Sequence, residues 1–138
     1  MSWYLFKALE HLNKNAGPVP TRACATKVRS AIEEGFNGRG LTRPPLDPNV
    51  NDVCAKDYGP SLKHAGFREL PQGTRHYEAG DVVIFEGSQH HEAGHMAMFN
   101  GRIWVSDYRQ HFDVLPTAAW RGIGYKIYRH PLASFVRG

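Results

Sequence analysis

Three side chains along the sequence have the types and order of a thiol hydrolase. Cys24 opens an amphipathic stretch, so the sequence predicts it in the first turn of a helix. There the helix dipole and unpaired N–H groups favour the thiolate, the nucleophilic form of cysteine. Arg22 and Lys27 flank it with positive charge. His95, in Gly94-His95-Met96-Ala97, heads a strand-like run, and Asp107 ends Trp104-Val105-Ser106-Asp107 on the next one. A thiol nucleophile needs a base, and the base needs an orienting group. Taken singly, each has a bland reading: a small buried residue, a solvated histidine, a surface charge.

A second chemistry overlaps the first. His91-Glu92-Ala93-Gly94-His95 spells H-E-x-x-H, the zincin pattern, with His111 as the nearest third ligand. That pattern works only on a helix, where both histidines share a face and Glu92 acts as base. Gly94 weakens such a helix and strand-like sequence flanks it. The thiol reading is therefore preferred. His90 and His91 are read as loop residues beside a cleft. His91 and Trp104 are carried as candidate substrate contacts. Cys54 is read as a packed free thiol, because pairing it with Cys24 would consume the nucleophile.

The elements that must position these groups follow from periodicity. Leu5, Leu9 and Leu12 predict a helix over 2–14, stopped by Gly17-Pro18. Thr21 as N-cap, with Val28, Ala31 and Ile32 as the apolar stripe, predicts a second helix over 21–34. Residues 37–50 read as a loop, and Asp52–Lys56 and Pro60–His64 as helical turns. Strands are expected at Gly80–Phe85, His95–Phe99, Arg102–Tyr108 and Tyr125–Tyr128. Helices followed by antiparallel strands make an α+β domain, with residues 1–138 as one catalytic unit.

The hairpin between the last two candidate residues carries a parity test. Side chains alternate between faces, so Asp107 joins His95 only if the Asn100-Gly101 loop holds an odd number of residues. A three-residue loop over 99–101 would place His95, Ala97, Ile103, Val105 and Asp107 on one face. An even loop without a bulge gives the third role to Ser106 or to a residue from elsewhere.

Composition narrows the class. The 138 residues contain eight His, two Cys and a net charge of +4. Two cysteines support neither a disulfide framework nor a four-thiolate zinc site. No apolar run is long enough to span a bilayer. The start of the chain shows no signal-peptide pattern, so synthesis in the cytoplasm is expected. The cations are scattered and no two are adjacent, which suits an anionic wall polymer better than nucleic acid.

Cys24-Ala25-Thr26-Lys27-Val28-Arg29, Gly80-Asp81-Val82-Val83, Gly94-His95-Met96-Ala97 and Val105-Ser106-Asp107, in this order, resemble the NlpC/CHAP superfamily. These are papain-like cysteine peptidases and amidases that cut peptidoglycan stem peptides. The resemblance covers roughly residues 20–130. It implies Cys24 as nucleophile, His95 as general base and Asp107 as the residue orienting the imidazole, with no metal or organic cofactor. Compact size, no signal peptide and an acidic third residue most resemble the amidase effectors of type VI secretion, with phage lytic amidases as neighbours. That resemblance implies export, action in the periplasm of a target cell and an immunity protein as partner. A zinc metallopeptidase and a basic wall-binding module remain the alternatives.

Overall fold

A computed structural model describes residues 2–21, 23–48, 53–111 and 113–134. Arg22 and the start of the turn expected at Asp52–Lys56 lie outside the described residues. The helices come first. Trp3–Tyr4 forms β1, Leu5–Asn15 forms α1 and Cys24–Gly35 forms α2. A 3-10 turn, Ala55–Asp57, leads to α3, Gly59–His64. The strands follow as β2 (Arg68–Glu69), β3 (Val82–Phe85), β4 (His95–Phe99), β5 (Trp104–Val105), β6 (Tyr125–Arg129) and β7 (Ala133–Ser134). Five of them form an antiparallel sheet in the order β2-β6-β3-β4-β5. The α+β class and its helices-then-sheet order are those expected.

Alternation along the strands divides the core into two layers. Val82, Ile84, Met96, Met98, Val105 and Tyr128 face α1 and α2, meeting Leu5, Leu9, Leu12, Val28, Ala31 and Ile32. Val83, Phe85, Ala97, Trp104 and Ile127 face the other way, where Val114 from a loop and Trp120 from a 3-10 turn over Ala118–Trp120 cover them. One face of the sheet is thus closed by helices and the other by irregular chain. His95 follows the parity of the loop-covered face.

Several boundaries shift for identifiable reasons. Helix α1 begins at Leu5 because Trp3 and Tyr4 pair in parallel with Ala133 and Ser134. The Trp3 indole N–H donates to the Ile32 carbonyl at 3.0 Å, and its ring meets Phe36, Phe67 and His130. Strand β5 is much shorter than the expected Arg102–Tyr108. The Asn100 side-chain oxygen accepts the N–H groups of both Arg102 and Ile103 at 2.9 Å, which holds 100–103 as a loop. Beyond Val105 the chain reverses, with Ser106 N–H bonded to the Tyr108 carbonyl.

Asp81 of the Gly-Asp strand motif is structural. It is fully buried and takes a two-pronged ion pair from Arg129 on β6, both contacts at 2.8 Å, while accepting the Glu78 N–H. The pair fastens the entry of β3 to the end of β6.

Gly35 shows how closely α2 approaches β1, since a Cβ there would overlap the Trp3 indole nitrogen. Gly35→Ala is expected to destabilise the protein by about 1–3 kcal/mol, measured by urea unfolding. Unchanged stability would mean that this contact is not tight.

Candidate functional site

Strand β4 receives His95 from a tight turn. Ser88 and His91 form an antiparallel bridge, and Gly94 N–H bonds the His91 carbonyl. Gly94 has φ +72°, and a Cβ there would run into the Phe85 carbonyl and Lys56. Glycine is therefore demanded at the step before His95. The H-E-x-x-H segment is this turn plus the first strand residue, not a helix. His91 and His95 do not share a helical face, so the zincin geometry fails at its first requirement. His95 itself is buried, with its ring against Phe85 and Trp120.

The partner of His95 is Gln110. Their contact, ring Nε2 to side-chain Oε1, is 2.7 Å and buried. The amide orientation follows from its other contacts: Gln110 Nε2 faces the carbonyls of Asp113 and Val114 at 3.3 and 3.4 Å, and carbonyls only accept. Oε1 must then accept from the ring, so Nε2 of the imidazole carries the proton. In the neutral ring the lone pair is left on Nδ1. Burial, foremost, lowers the His95 pKa below its ordinary 6.5, and neighbouring His91 adds to this; the Gln110 bond and the Asp107 charge oppose it. His95 is neutral, and basic at Nδ1, at neutral pH.

Asp107 does not orient the ring. The expected odd loop is replaced by an even one: Phe99 pairs with Trp104 and Met98 with Val105, leaving four residues between. Val105 thereby faces the helices with Met96 and Met98, while His95 keeps the opposite parity. Ile103, expected in the core, is exposed in the loop. The Asp107 carboxylate instead accepts the N–H and hydroxyl of Thr21, and the Ala23 N–H at 3.4 Å. Thr21 is accordingly not the N-cap of α2; Ala23 occupies that place. Nothing in the local pattern marks Gln110. Its position depends on the reversal after β5, which returns the Gln110 N–H to the Trp104 carbonyl.

Cys24 begins α2, as expected, and its helix packs on β4. The Met96 N–H, next in sequence to His95, hydrogen-bonds its sulfur. Thiol and imidazole are thus carried to the same end of β4. The expected thiolate is not the resting form. Burial pushes the thiol up from 9.0 to about 11, and the Asp107 charge adds to the rise. The N–H groups of Met96, Ala25 and Cys24 itself pull downward without prevailing.

The two candidate substrate contacts separate. His91 is half-buried and stacks on Trp120, ring centroids 4.2 Å apart and 22° from parallel. Trp120 in turn touches the His95 ring, so His91 lies on the site's rim. Trp104 is fully buried between Tyr77 and Phe99 and offers no surface to a substrate. Cys54 is a buried free thiol 3.7 Å from the Asp47 carboxylate. With Asp57 it forms a possible ligand cluster, which the Lys56 ammonium, 3.7 Å from Asp47, already partly neutralises.

No family model matches the sequence, and no curated protein matches it. Solved structures do. The native crystal structure of the type VI effector–immunity complex Tae3–Tai3 from Ralstonia pickettii contains a chain 35% identical to this one. The match covers 93% of this chain and 99% of that one, with a TM-score of 0.77. The selenomethionine form of the same complex matches at 35% identity over 88% and 98% of the two chains, with a TM-score of 0.73.

The Asp107 contacts make a measurable prediction. Burial works to raise its carboxyl, but the Thr21 donors and the N–H groups of Asp107 and Ala23 hold it below the usual 3.8. A lowered carboxyl pKa stabilises the fold above the unfolded value, and that stability is lost as pH falls through the folded value. Asp107→Asn is expected to cost about 1.5–3 kcal/mol at neutral pH. The gap to wild type should close as the pH is taken below 3.8, read by denaturant unfolding across pH. A gap independent of pH would mean that the charge is not what matters.

Proposed function

The chain belongs to the Tae3 family of type VI effectors, and from that premise we propose that it is a cysteine amidase of bacterial cell walls. It hydrolyses an amide bond in a peptidoglycan stem peptide, as a single papain-like domain related to the NlpC/CHAP superfamily. Delivery into the periplasm of a competing cell, and inhibition by a cognate immunity protein, accompany this reading. The observation that carries it is the hydrogen-bonded His95–Gln110 pair at the head of β4, reached by the thiol helix through the Met96 N–H.

The roles follow from the protonation states. Cys24 is the nucleophile, protonated at rest. His95 Nδ1 takes the thiol proton as sulfur attacks the amide carbonyl, so charge separation coincides with bond formation. Backbone N–H groups at the start of α2 hold the oxyanion. The imidazolium returns its proton to the leaving amine, which departs as the thioester forms. Water, activated by the neutral ring, then releases the acid and restores the thiol. Gln110 is the positioning residue that fixes the ring and its tautomer. Asp107 does not touch the ring, but its charge favours the imidazolium and its contacts anchor the segment before the nucleophile.

Cys24→Ala is expected to abolish release of muropeptides from purified sacculi, followed by mass spectrometry, while leaving the fold intact. A mutant that digests like wild type removes the thiol mechanism. Gln110→Ala is expected to lower kcat on the order of 10- to 100-fold, since a neutral amide orients the ring without carrying charge. Its pH profile should separate orientation from packing. The wild-type rate rises as the pH passes through the His95 pKa, which burial holds below the ordinary imidazole value. Loss of the Gln110 acceptor, which favours the charged ring, should move that rise to still lower pH. A loss of rate with an unmoved profile would make Gln110 a packing residue only.

A further inference from the structure

A cavity opens on the loop that positions Gln110. It measures about 440 Å³ and is lined by Arg75, Tyr77, Asp113, Val114 and Tyr125 among others. Arg75 and Asp113 bring opposite charges to one cavity from distant parts of the chain. Both are exposed, and neither takes part in an ion pair among the described residues. The charges are therefore available to a ligand rather than spent on each other. Tyr77 and Tyr125, half-buried and within hydrogen-bonding reach of each other, supply hydroxyls and aromatic walls. Burial, with the Asp113 charge, holds the Tyr77 hydroxyl protonated, up to about 12.

A cavity with a cation, an anion and hydroxyl donors matches a ligand that carries both signs at once. Neither a simple anion nor a simple cation satisfies both residues. An α-amino acid head group does, with an ammonium and a carboxylate on one carbon. Diaminopimelate in a wall stem peptide presents such a head group when its second centre is not cross-linked. The cavity also touches the site: the Gln110 amide that holds His95 is itself held by the carbonyls of Asp113 and Val114.

We propose that this cavity is a substrate subsite for a zwitterionic amino-acid head group of a wall stem peptide, its carboxylate on Arg75 and its ammonium on Asp113. The assignment rests on the wall-amidase reading above. It gives the enzyme a second point of recognition on the loop that sets its base.

The test measures binding apart from hydrolysis. The Cys24→Ala protein is titrated by calorimetry with a diaminopimelate-containing stem tetrapeptide, its distal centre either free or N-acetylated. Acetylation is expected to raise Kd about tenfold, the loss of one charged hydrogen bond. Asp113→Asn in the same background is expected to weaken the free peptide to a similar degree and to leave the acetylated one unaffected. Arg75→Gln is expected to weaken both. Equal Kd for the two peptides, no binding of either, or an Asp113→Asn penalty equal on both peptides overturns the subsite. The ligand-side comparison decides even where a variant fails to fold. Wild-type digestion of sacculi is scored in parallel. Digestion with acetylation-blind binding removes the subsite alone, whereas acetylation-sensitive binding without digestion supports the subsite and removes the amidase reading.

Discussion

The reversal from Ser106 to Gln110 is the joint on which the rest of the site hangs. Within a few residues it makes contacts in three directions. Its backbone pairs with Gly17, through Gly17 N–H to the Asp107 carbonyl and Arg109 N–H to the Gly17 carbonyl. The Asp107 carboxylate gathers Thr21 and Ala23 just before α2. The Gln110 side chain reaches across to His95. The helix that carries the thiol and the strand that carries the imidazole come from opposite halves of the domain. This short turn ties both to one rigid reference.

The two faces of the sheet then divide the labour. The helical face is closed by regular aliphatic packing, which fixes α2 and with it the place of Cys24. The other face is closed by irregular chain around Trp104 and Trp120, and His95 looks into that side. Loops cover a sheet with less regular hydrogen bonding than helices do, and they can change their lining without disturbing a helix stripe. Recognition surfaces belong on such a face. Cys24 starts the helix on the face that regular packing holds in place.

The elements set by periodicity were legible in the residues. Strand β4 falls on His95–Phe99 as read, and α2 is shifted to Cys24–Gly35 from the expected 21–34. The thiol and the imidazole were visible because each sits at the edge of a strongly patterned element. The hydrogen-bond partner of His95 was not. Choosing between Asp107 and its neighbours turned on the parity of one loop, and Asn100 made that loop even by capturing two N–H groups with its side chain. Gln110 was hidden for a related reason, since a chain reversal held by scattered backbone bonds leaves no periodic trace. Trp104 was misassigned because an indole in a strand looks the same whether its face is open or covered. The charge state of Cys24 was misread because the sequence shows the helix start and the nearby cations, but not the desolvation of the half-buried thiol that outweighs them.

That desolvation has a chemical consequence beyond proton transfer. Oxidants and disulfides react with thiolates, and a thiol that ionises only near 11 offers almost none of that form at neutral pH. The Cys24 thiol is therefore slow to be oxidised, capped or drawn into a mixed disulfide. A cysteine enzyme working in an oxidising compartment would lose its function fastest through its own reactive sulfur. Here the burial that places the sulfur also guards it against that fate.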